Sequence, residues 1–233
     1  MELVLSCEHA SAAVPEGLEP TIPWDVLQSH RGWDPGAADV ALALGAAFGV
    51  TPILGRVTRL LVDLNRSADN PRATSSVART LAAEAREQLH REHHATHWRA
   101  VEQAIACRTC VLHVSVHSFT PTLRGKARAM DIGLLYDPRR ASELRVACRW
   151  QSLLRGEGLH VARNAPYRGV SDGITRGMRR RFGVERYAGL ELELNQRLLS
   201  QGTFGQPLIS AIRRTLSAIL ESEMHPCGGS QAP

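Results

Sequence analysis

The sequence lacks any apolar stretch that approaches the ~20 consecutive residues needed for a membrane-spanning helix. It also lacks a recognisable secretion signal, because residues Met1–Leu5 lead directly into an apolar run without a basic segment and a long apolar core. We therefore expect a cytoplasmic protein with no membrane partner.

Cysteine is scarce, and the five cysteines are scattered along the chain. An odd number at irregular spacing argues against a disulfide framework and is typical of a protein from a reducing compartment. The single Cys-x-x-Cys pair, Cys107 and Cys110, has no second pair to complete a structural zinc site. We interpret both cysteines as packing residues.

Internal repeats are also absent. With 43% hydrophobic and 22% charged residues, the composition is that of an ordinary globular protein. A length of 233 residues fits one large domain or two small ones. We expect one catalytic domain over residues 1–224 and a flexible C-terminal tail over residues 225–233.

Positive charge is in excess, since the formal net charge is +5 and most of the 28 basic residues are arginine. The densest cluster, Arg176–Arg181, matches no nucleic-acid-binding signature, so we expect a solvated surface and no nucleic-acid partner. Arginine also binds carboxylates through two hydrogen bonds, which suits a small anionic substrate.

Short apolar runs alternate with longer segments of helical periodicity. The predicted strands are Leu3–Ser6, Pro52–Leu54, Leu60–Leu64, Val111–Val116, Ile132–Tyr136, His160–Ala162 and Leu190–Leu194. The predicted helices are Ala37–Phe48, Ser75–Ala106 with a break near His93–Thr96, Pro138 to about Leu154, and Pro207–Met224. This alternation predicts a single-domain, three-layer α/β fold with a mostly parallel or mixed central sheet. Sites in such folds lie beyond the carboxyl ends of the strands.

Two histidines, His9 and His117, each come at the end of an apolar strand, so both are expected at one edge of the sheet. Neutral imidazole is the commonest zinc ligand. The alternative is two unrelated loop histidines, because the sequence contains no His-x-x-Glu or His-Glu-x-x-His motif. Glu8 would point away from His9 on a regular strand. Asp34 precedes a predicted helix and could supply a carboxylate ligand or act as a helix N-cap.

The pair Asn65-Arg66 follows a predicted strand. Arginine offers a fork for a substrate carboxylate, and asparagine offers an amide donor. The alternative is an ion pair between Arg66 and Asp63 or Asp69.

Two further groups of polar residues are candidates for a site. Glu191 and Glu193 alternate with leucines, so they share one face of a strand. They either line a polar site, where one is a general base, or lie on the wet face of an edge strand. Four histidines crowd one predicted helix, where we expect a polar face with one of them near the site: His90, His93, His94 and His97.

Taken together in their order and spacing, these motifs resemble the N-formylglutamate amidohydrolase family, within the wider group of zinc-carboxypeptidase-like and aspartoacylase-like hydrolases. The resemblance covers about residues 3–200 and rests on these stretches: Ser6–Ser11, His30–Asp34, Gly36-Ala37, Val62–Ser67, His117–Thr120, Asn164–Tyr167, Gly173–Arg176 and Glu191–Gln196. It implies a zinc-peptidase-like (phosphorylase/hydrolase-like) fold, one zinc ion per chain, and an N-acyl amino acid substrate such as N-formylglutamate.

The resemblance also implies roles for the metal-binding residues. His9 and His117 match the histidines that end strands in the family and become the protein ligands of zinc. The wider group uses His-x-x-Glu, but Ala12 stands at the glutamate position, so the carboxylate ligand comes from elsewhere. Asp34 is the first choice and Glu8 the second.

For catalysis, the resemblance makes Glu193 the general base and Asn65-Arg66 the clamp for the substrate carboxylate. Either Arg66 or Arg176 would stabilise the oxyanion. The remaining candidates are Tyr167, Thr175 and Arg176 for the substrate pocket, with Glu191 and His97 near the reaction centre. Two alternatives stay open: a zinc peptidase or cell-wall amidase of the same fold, and a non-catalytic basic binding protein that holds no tightly bound metal.

Overall fold

The computed structural model describes residues 1–18 and 22–224, so the predicted tail lies outside the described residues. The strands are β1 (Glu2–Cys7), β2 (Ile53–Leu54), β3 (Val111–Phe119), β4 (Thr122–Leu123), β5 (Lys126–Ala127), β6 (Ile132–Leu135), β7 (Val161–Arg163), β8 (Tyr187–Asn195), β9 (Leu199–Ser200) and β10 (Thr203–Phe204). The α-helices are α1 (Trp24–Leu27), α2 (Ala37–Phe48), α3 (Ala83–Leu89), α4 (Ala95–Ala106), α5 (Ala141–Gly156), α6 (Ile174–Arg181) and α7 (Gln206–Met224).

A six-stranded sheet with the order β2-β1-β3-β8-β6-β7 forms the centre of a single domain. Its neighbouring strands are parallel except for β6 and β8, which are antiparallel. Helices lie on both faces, as expected when parallel strands are joined by helical crossovers. The predicted three-layer α/β fold with a mostly parallel, mixed sheet is therefore confirmed.

The two faces of the sheet differ in chemistry. Leu112, Val114 and Val116 of β3 are fully buried against the layer formed by α2, α5 and α7. The smaller apolar cluster on the other face joins α4 and α6 through residues such as Trp98 and Met178. Because side chains alternate along a strand, this second face carries the polar residues of the central strands.

Two predicted elements differ in the structure. Leu60–Leu64 is a series of turns and not a strand, because its apolar side chains pack with Val57 and Leu89 in a separate small cluster. A short apolar run has no periodicity that separates these two outcomes. The long predicted helix begins at Ala83, after a 3-10 turn at Ala78–Thr80, and contains a π-helical segment at His90–His94 between α3 and α4.

The arginine cluster is only partly a solvated surface. Residues Ile174–Arg181 form α6, a helix that is not among those predicted from the sequence. The side chain of Arg179 is only 6% exposed. Its Nε lies 2.9 Å from Oε1 of the buried Glu143. This ion pair connects α6 to α5.

Within the described residues, no helix combines the length and apolar character needed to cross a bilayer. The cysteines in this part of the chain, Cys7, Cys107, Cys110 and Cys148, are free thiols.

Candidate active site

A cavity of about 560 Å³ lies at the carboxyl ends of β1, β3 and β8. His9 follows β1, His117 lies near the end of β3, and Glu193 is its neighbour in register on β8. All three line the cavity. The parallel arrangement of these strands brings residues far apart in sequence to one edge of the sheet.

At the floor of this cavity, three side chains converge. Nδ1 of His9 lies 3.3 Å and Nδ1 of His117 lies 2.9 Å from Oδ2 of Asp34. Together they are the one group within the described residues whose ligand atoms lie close enough to hold a metal ion. Two ligands of a tetrahedral zinc ion, each about 2.0–2.1 Å from it, stand roughly 3.3 Å apart. The donor set therefore fits zinc.

The backbone holds Asp34 at this point. Its amide donates a 2.9 Å hydrogen bond to the carbonyl of His9, and its own carbonyl accepts from Ala37 in the first turn of α2. Its side chain also accepts a hydrogen bond from the amide of Ser118. Asp34 is thus held by both histidine-bearing segments and by a helix start, although it is not the N-cap itself, which is Gly36.

Both histidines have their outer nitrogen next to a carboxylate. Nε2 of His9 lies 2.7 Å from Oδ1 of Asp63, and Nε2 of His117 lies 3.0 Å from Oε2 of Glu8. Glu8 therefore does not join the metal-binding group and lies on the far side of His117 from Asp34. The sequence indicated Asp63 only as a possible ion-pair partner of Arg66, and Oδ2 of Asp63 does lie 3.8 Å from Nε of Arg66. An acidic residue inside an apolar run is costly to bury without a partner. The position of Asp63 in such a run was therefore a sequence signal for a buried contact, which the structure shows to be with His9.

Arg59 connects the two aspartates and was missed in the sequence. Its guanidinium lies 3.3 Å from Oδ1 of Asp34 and 3.4 Å from Oδ2 of Asp63. Its backbone amide donates to the carbonyl of Gly32, which fastens the two loops together. No motif surrounds Arg59, so only the folded chain reveals it.

The charges of this cluster shift the pKa values of both histidines upward. Burial by itself lowers the pKa of His117, but hydrogen bonds and charges from Asp34 and Glu8 outweigh it and hold the pKa well above 6.5. For His9, burial and Arg59 lower the pKa, yet the charges of Asp63 and Asp34 raise it overall. The cluster thus attracts cations, either protons on the histidines or a metal ion in their place.

Glu193 has the opposite environment. Burial raises its pKa to about 7; the charge of His117 opposes this shift and that of Asp34 adds to it. Its carboxylate has no hydrogen-bond partner among the described residues, whereas Glu191 on the same strand face accepts a 2.7 Å bond from Thr175. Both glutamates line the cavity and β8 is a central strand, so the edge-strand interpretation is wrong.

The Asn65-Arg66 pair forms one wall of the cavity. Oδ1 of Asn65 accepts a 2.8 Å hydrogen bond from the amide of Ile174, and its Nδ2 lies 3.3 Å from Nε2 of His117. Arg66 donates from one guanidinium nitrogen to the carbonyl of Asp172, and its side chain is 30% exposed toward the cavity. Its Nε lies 3.8 Å from Oδ2 of Asp63, so the ion pair considered as an alternative is present, and the rest of the guanidinium lines the cavity.

The other predicted pocket residues are distributed differently. Tyr167 lies at the cavity rim, 44% exposed, with Arg128 stacked on its ring. Thr175 is fully buried behind Glu191, and Arg176 is exposed on α6; neither lines the cavity. His97 is buried 3.2 Å from Oε1 of Glu8 and does not reach the cavity.

Comparisons with known proteins show which family and fold the chain resembles. The family model described as N-formylglutamate amidohydrolase matches residues 1–200. The crystal structure of the gene product Atu2144 from Agrobacterium tumefaciens is similar with a TM-score of 0.79 and 29% identity, over 96% of this chain and 92% of that chain. The N-formylglutamate amidohydrolase from Ralstonia eutropha JMP134 is similar in fold, with a TM-score of 0.70 and 17% identity over 93% and 90% of the two chains. No curated protein matched the sequence. The chain therefore belongs to the N-formylglutamate amidohydrolase family, which supports an amidohydrolase function.

Proposed function

We propose that this protein is a zinc-dependent amidohydrolase that cleaves the amide bond of an N-acyl amino acid such as N-formylglutamate. The observation that carries the proposal is the convergence of two histidine Nδ1 atoms on Asp34, in a cavity that also holds Glu193 and the Asn65-Arg66 pair. These groups correspond to a metal site, a proton carrier and an anion site.

His9, Asp34 and His117 would hold the metal ion. Two imidazole nitrogens and one carboxylate oxygen are a typical ligand set of catalytic zinc sites, which keep a further position open. When bound, zinc supplies Lewis acidity, which lowers the pKa of a water molecule and polarises a carbonyl group. Asp63, through its contact with Nε2 of His9, keeps the ring of that ligand in place.

Glu193 would carry the proton between the attacking water and the leaving nitrogen. A pKa near 7 suits this task, because the carboxylate can take a proton at neutral pH and give it up again in the next step. The absence of a competing hydrogen bond within the described residues leaves its oxygens available to the cavity. Glu191 is less suited, since Thr175 already donates to it.

Arg66 and Asn65 would bind the carboxylate of the substrate and orient its amide bond. The Arg66 side chain is held by Asp172 and also faces the cavity, so a carboxylate can meet a fork of fixed direction. Tyr167 at the rim would contact the outer part of the substrate. Arg176 does not line the cavity, so it would not reach the carbonyl oxygen, and Arg66 would serve the substrate carboxylate alone.

The test combines metal content with substrate hydrolysis. We would measure zinc by elemental analysis in protein purified without a histidine tag, alongside His9→Ala and His117→Ala, and assay N-formyl and N-acetyl amino acids. About one zinc per chain in the wild type, lost in both variants together with hydrolysis, is expected. A wild-type protein that binds no stoichiometric zinc and hydrolyses none of these amides would refute the proposal.

A further inference from the structure

We propose that Glu8 is a positioning residue that fixes His117 with its Nδ1 atom toward the metal site, and that His97 holds Glu8 in place. This inference rests on the proposed zinc-dependent function. It assigns a role to two buried residues that the mechanism above does not use.

Glu8 is fully buried and both of its carboxylate oxygens are engaged. Oε2 lies 3.0 Å from Nε2 of His117 and accepts a hydrogen bond from the hydroxyl of Ser115. Oε1 lies 3.2 Å from Nε2 of His97, which reaches in from α4. All these contacts are on the opposite side of the His117 ring from Asp34, so they orient the ring without occupying the metal site.

The sheet explains why Glu8 meets His117. In the parallel pairing of β1 with β3, Ser6 is the register partner of Ser115. Two residues further along both strands, Glu8 and His117 are level and share the same face of the sheet. His9, the next residue, turns to the other side and enters the cavity. Of these two adjacent residues, His9 would be a metal ligand, and Glu8 contacts the other metal-binding histidine, His117.

The hydrogen-bonding pattern determines which ring nitrogen of His117 would keep its proton when a metal ion binds. Carboxylates face both ring nitrogens of His117 and can only accept, so without a metal ion Nε2 donates to Glu8 and Nδ1 donates to Asp34. A metal ion bound beside His9 and Asp34 would replace the proton on Nδ1 and leave the proton on Nε2. The hydroxyl of Ser115 donates to Glu8, which leaves its oxygen, 2.9 Å from Nε2, as a second acceptor for the Nε2 proton. The one donor near this nitrogen, Nδ2 of Asn65, is its most distant neighbour at 3.3 Å. In the metal-bound form the lone pair of His117 would therefore be on Nδ1, the atom that lies beside Asp34.

His97 has its position because of the irregular helix before it. A π-helical segment covers His90–His94 and changes the direction in which the following turn faces. His94 lies 2.7 Å from the carbonyl of Arg66, and His97 approaches Glu8, so both side chains face the site segments. A buried carboxylate with too few donors is costly, and His97 supplies one of the donors that Glu8 needs.

The primary experiment measures zinc affinity by competition with a chromophoric chelator. Glu8→Gln keeps the side-chain volume and can present an N–H group to Nε2, so we expect zinc affinity about 10- to 100-fold weaker, as for other outer contacts of metal-binding histidines. Glu191→Gln is the matched control: it removes the same charge from the register partner of Ser115 on the next strand, but Glu191 accepts a hydrogen bond from Thr175 and contacts no metal-binding residue. Its zinc affinity should remain close to that of the wild type.

A second pair of variants keeps the inference testable if Glu8→Gln fails to fold, which circular dichroism and thermal melting would show. His97→Gln retains an N–H donor to Glu8 and should preserve zinc affinity, whereas His97→Ala should weaken it.

Three results would overturn the inference. One is an equal loss of zinc affinity in Glu8→Gln and Glu191→Gln, which would mean that only the general loss of negative charge matters. Another is wild-type affinity in a folded Glu8→Gln protein. The third is a His97→Ala protein that binds zinc as tightly as the His97→Gln protein. A wild-type protein without zinc affinity would refute the proposed function itself, so the two failures are distinct.

Discussion

Replacement of Arg66 by alanine tests the carboxylate clamp most directly. The guanidinium donates to the carbonyl of Asp172, its Nε lies 3.8 Å from Oδ2 of Asp63, and the side chain lines the cavity. A hydrogen bond between charged groups contributes about 1.5–3 kcal/mol, which corresponds to about a 10- to 150-fold change in an equilibrium constant. Because the substrate carboxylate does not change during the reaction, the interaction is equal in ground and transition states. We therefore expect KM to rise by roughly this factor, with kcat little changed.

The assay is steady-state hydrolysis of N-formylglutamate by the wild type and Arg66→Ala, with Arg72→Ala as the control. Arg72 is an exposed arginine on the same cavity, so it reports the effect of losing a positive charge near the entrance. A substrate whose α-carboxylate is converted to an amide completes the comparison, since Arg66→Ala should not weaken its binding further. An unchanged KM for the carboxylate substrate, or an equal loss for the amide, would refute the clamp.

Three further outcomes follow from the site and its surroundings. Glu193→Gln should lower kcat by about 10²- to 10⁴-fold while zinc stays bound. In the wild type, activity should fall as the pH drops through the pKa of Glu193, which is about 7 without metal and is lowered by the positive charge of zinc. The pH–rate profiles of both proteins measure these effects. Zinc binding should release close to two protons at pH 6, because the raised pKa values of His9 and His117 mean that metal replaces protons; calorimetry in buffers of different ionisation enthalpy measures the number, and release of less than one proton would contradict it. Arg179→Ala should destabilise the fold by about 1.5–3 kcal/mol in urea unfolding, because it removes one of the two arginines paired with the buried Glu143 and leaves only Arg140. A loss below about 0.5 kcal/mol would show that the pair with Arg179 is not structural.

Much of the site was accessible from local patterns. The alternation in Leu190–Leu194 predicted that Glu191 and Glu193 share a face, and both line the cavity. The position of His9 and His117 at strand ends predicted that they meet at one sheet edge, and their Nδ1 atoms converge on Asp34. These predictions succeeded because side-chain direction on a strand has a fixed period of two residues.

Other features depended on long-range contacts. Arg59 has no motif, yet its guanidinium bridges Asp34 and Asp63. Thr175 and Arg176 belong to a recognisable motif, but the direction of α6 turns one toward Glu191 and the other toward solvent. Orientation of a short helix depends on what it packs against, and the sequence around it carries little of that information.

The sequence by itself determined the layered α/β fold, the edge of the sheet where a site would form, and the residue types that would meet there, because periodicity and strand ends are local properties of the chain. Only the tertiary structure decided the partition of the acids: Asp34 faces the metal-binding nitrogens, Glu8 and Asp63 face the outer ones, and Glu193 stays without a partner among the described residues. That partition depends on strand register and loop docking, which are set by contacts between segments far apart in sequence.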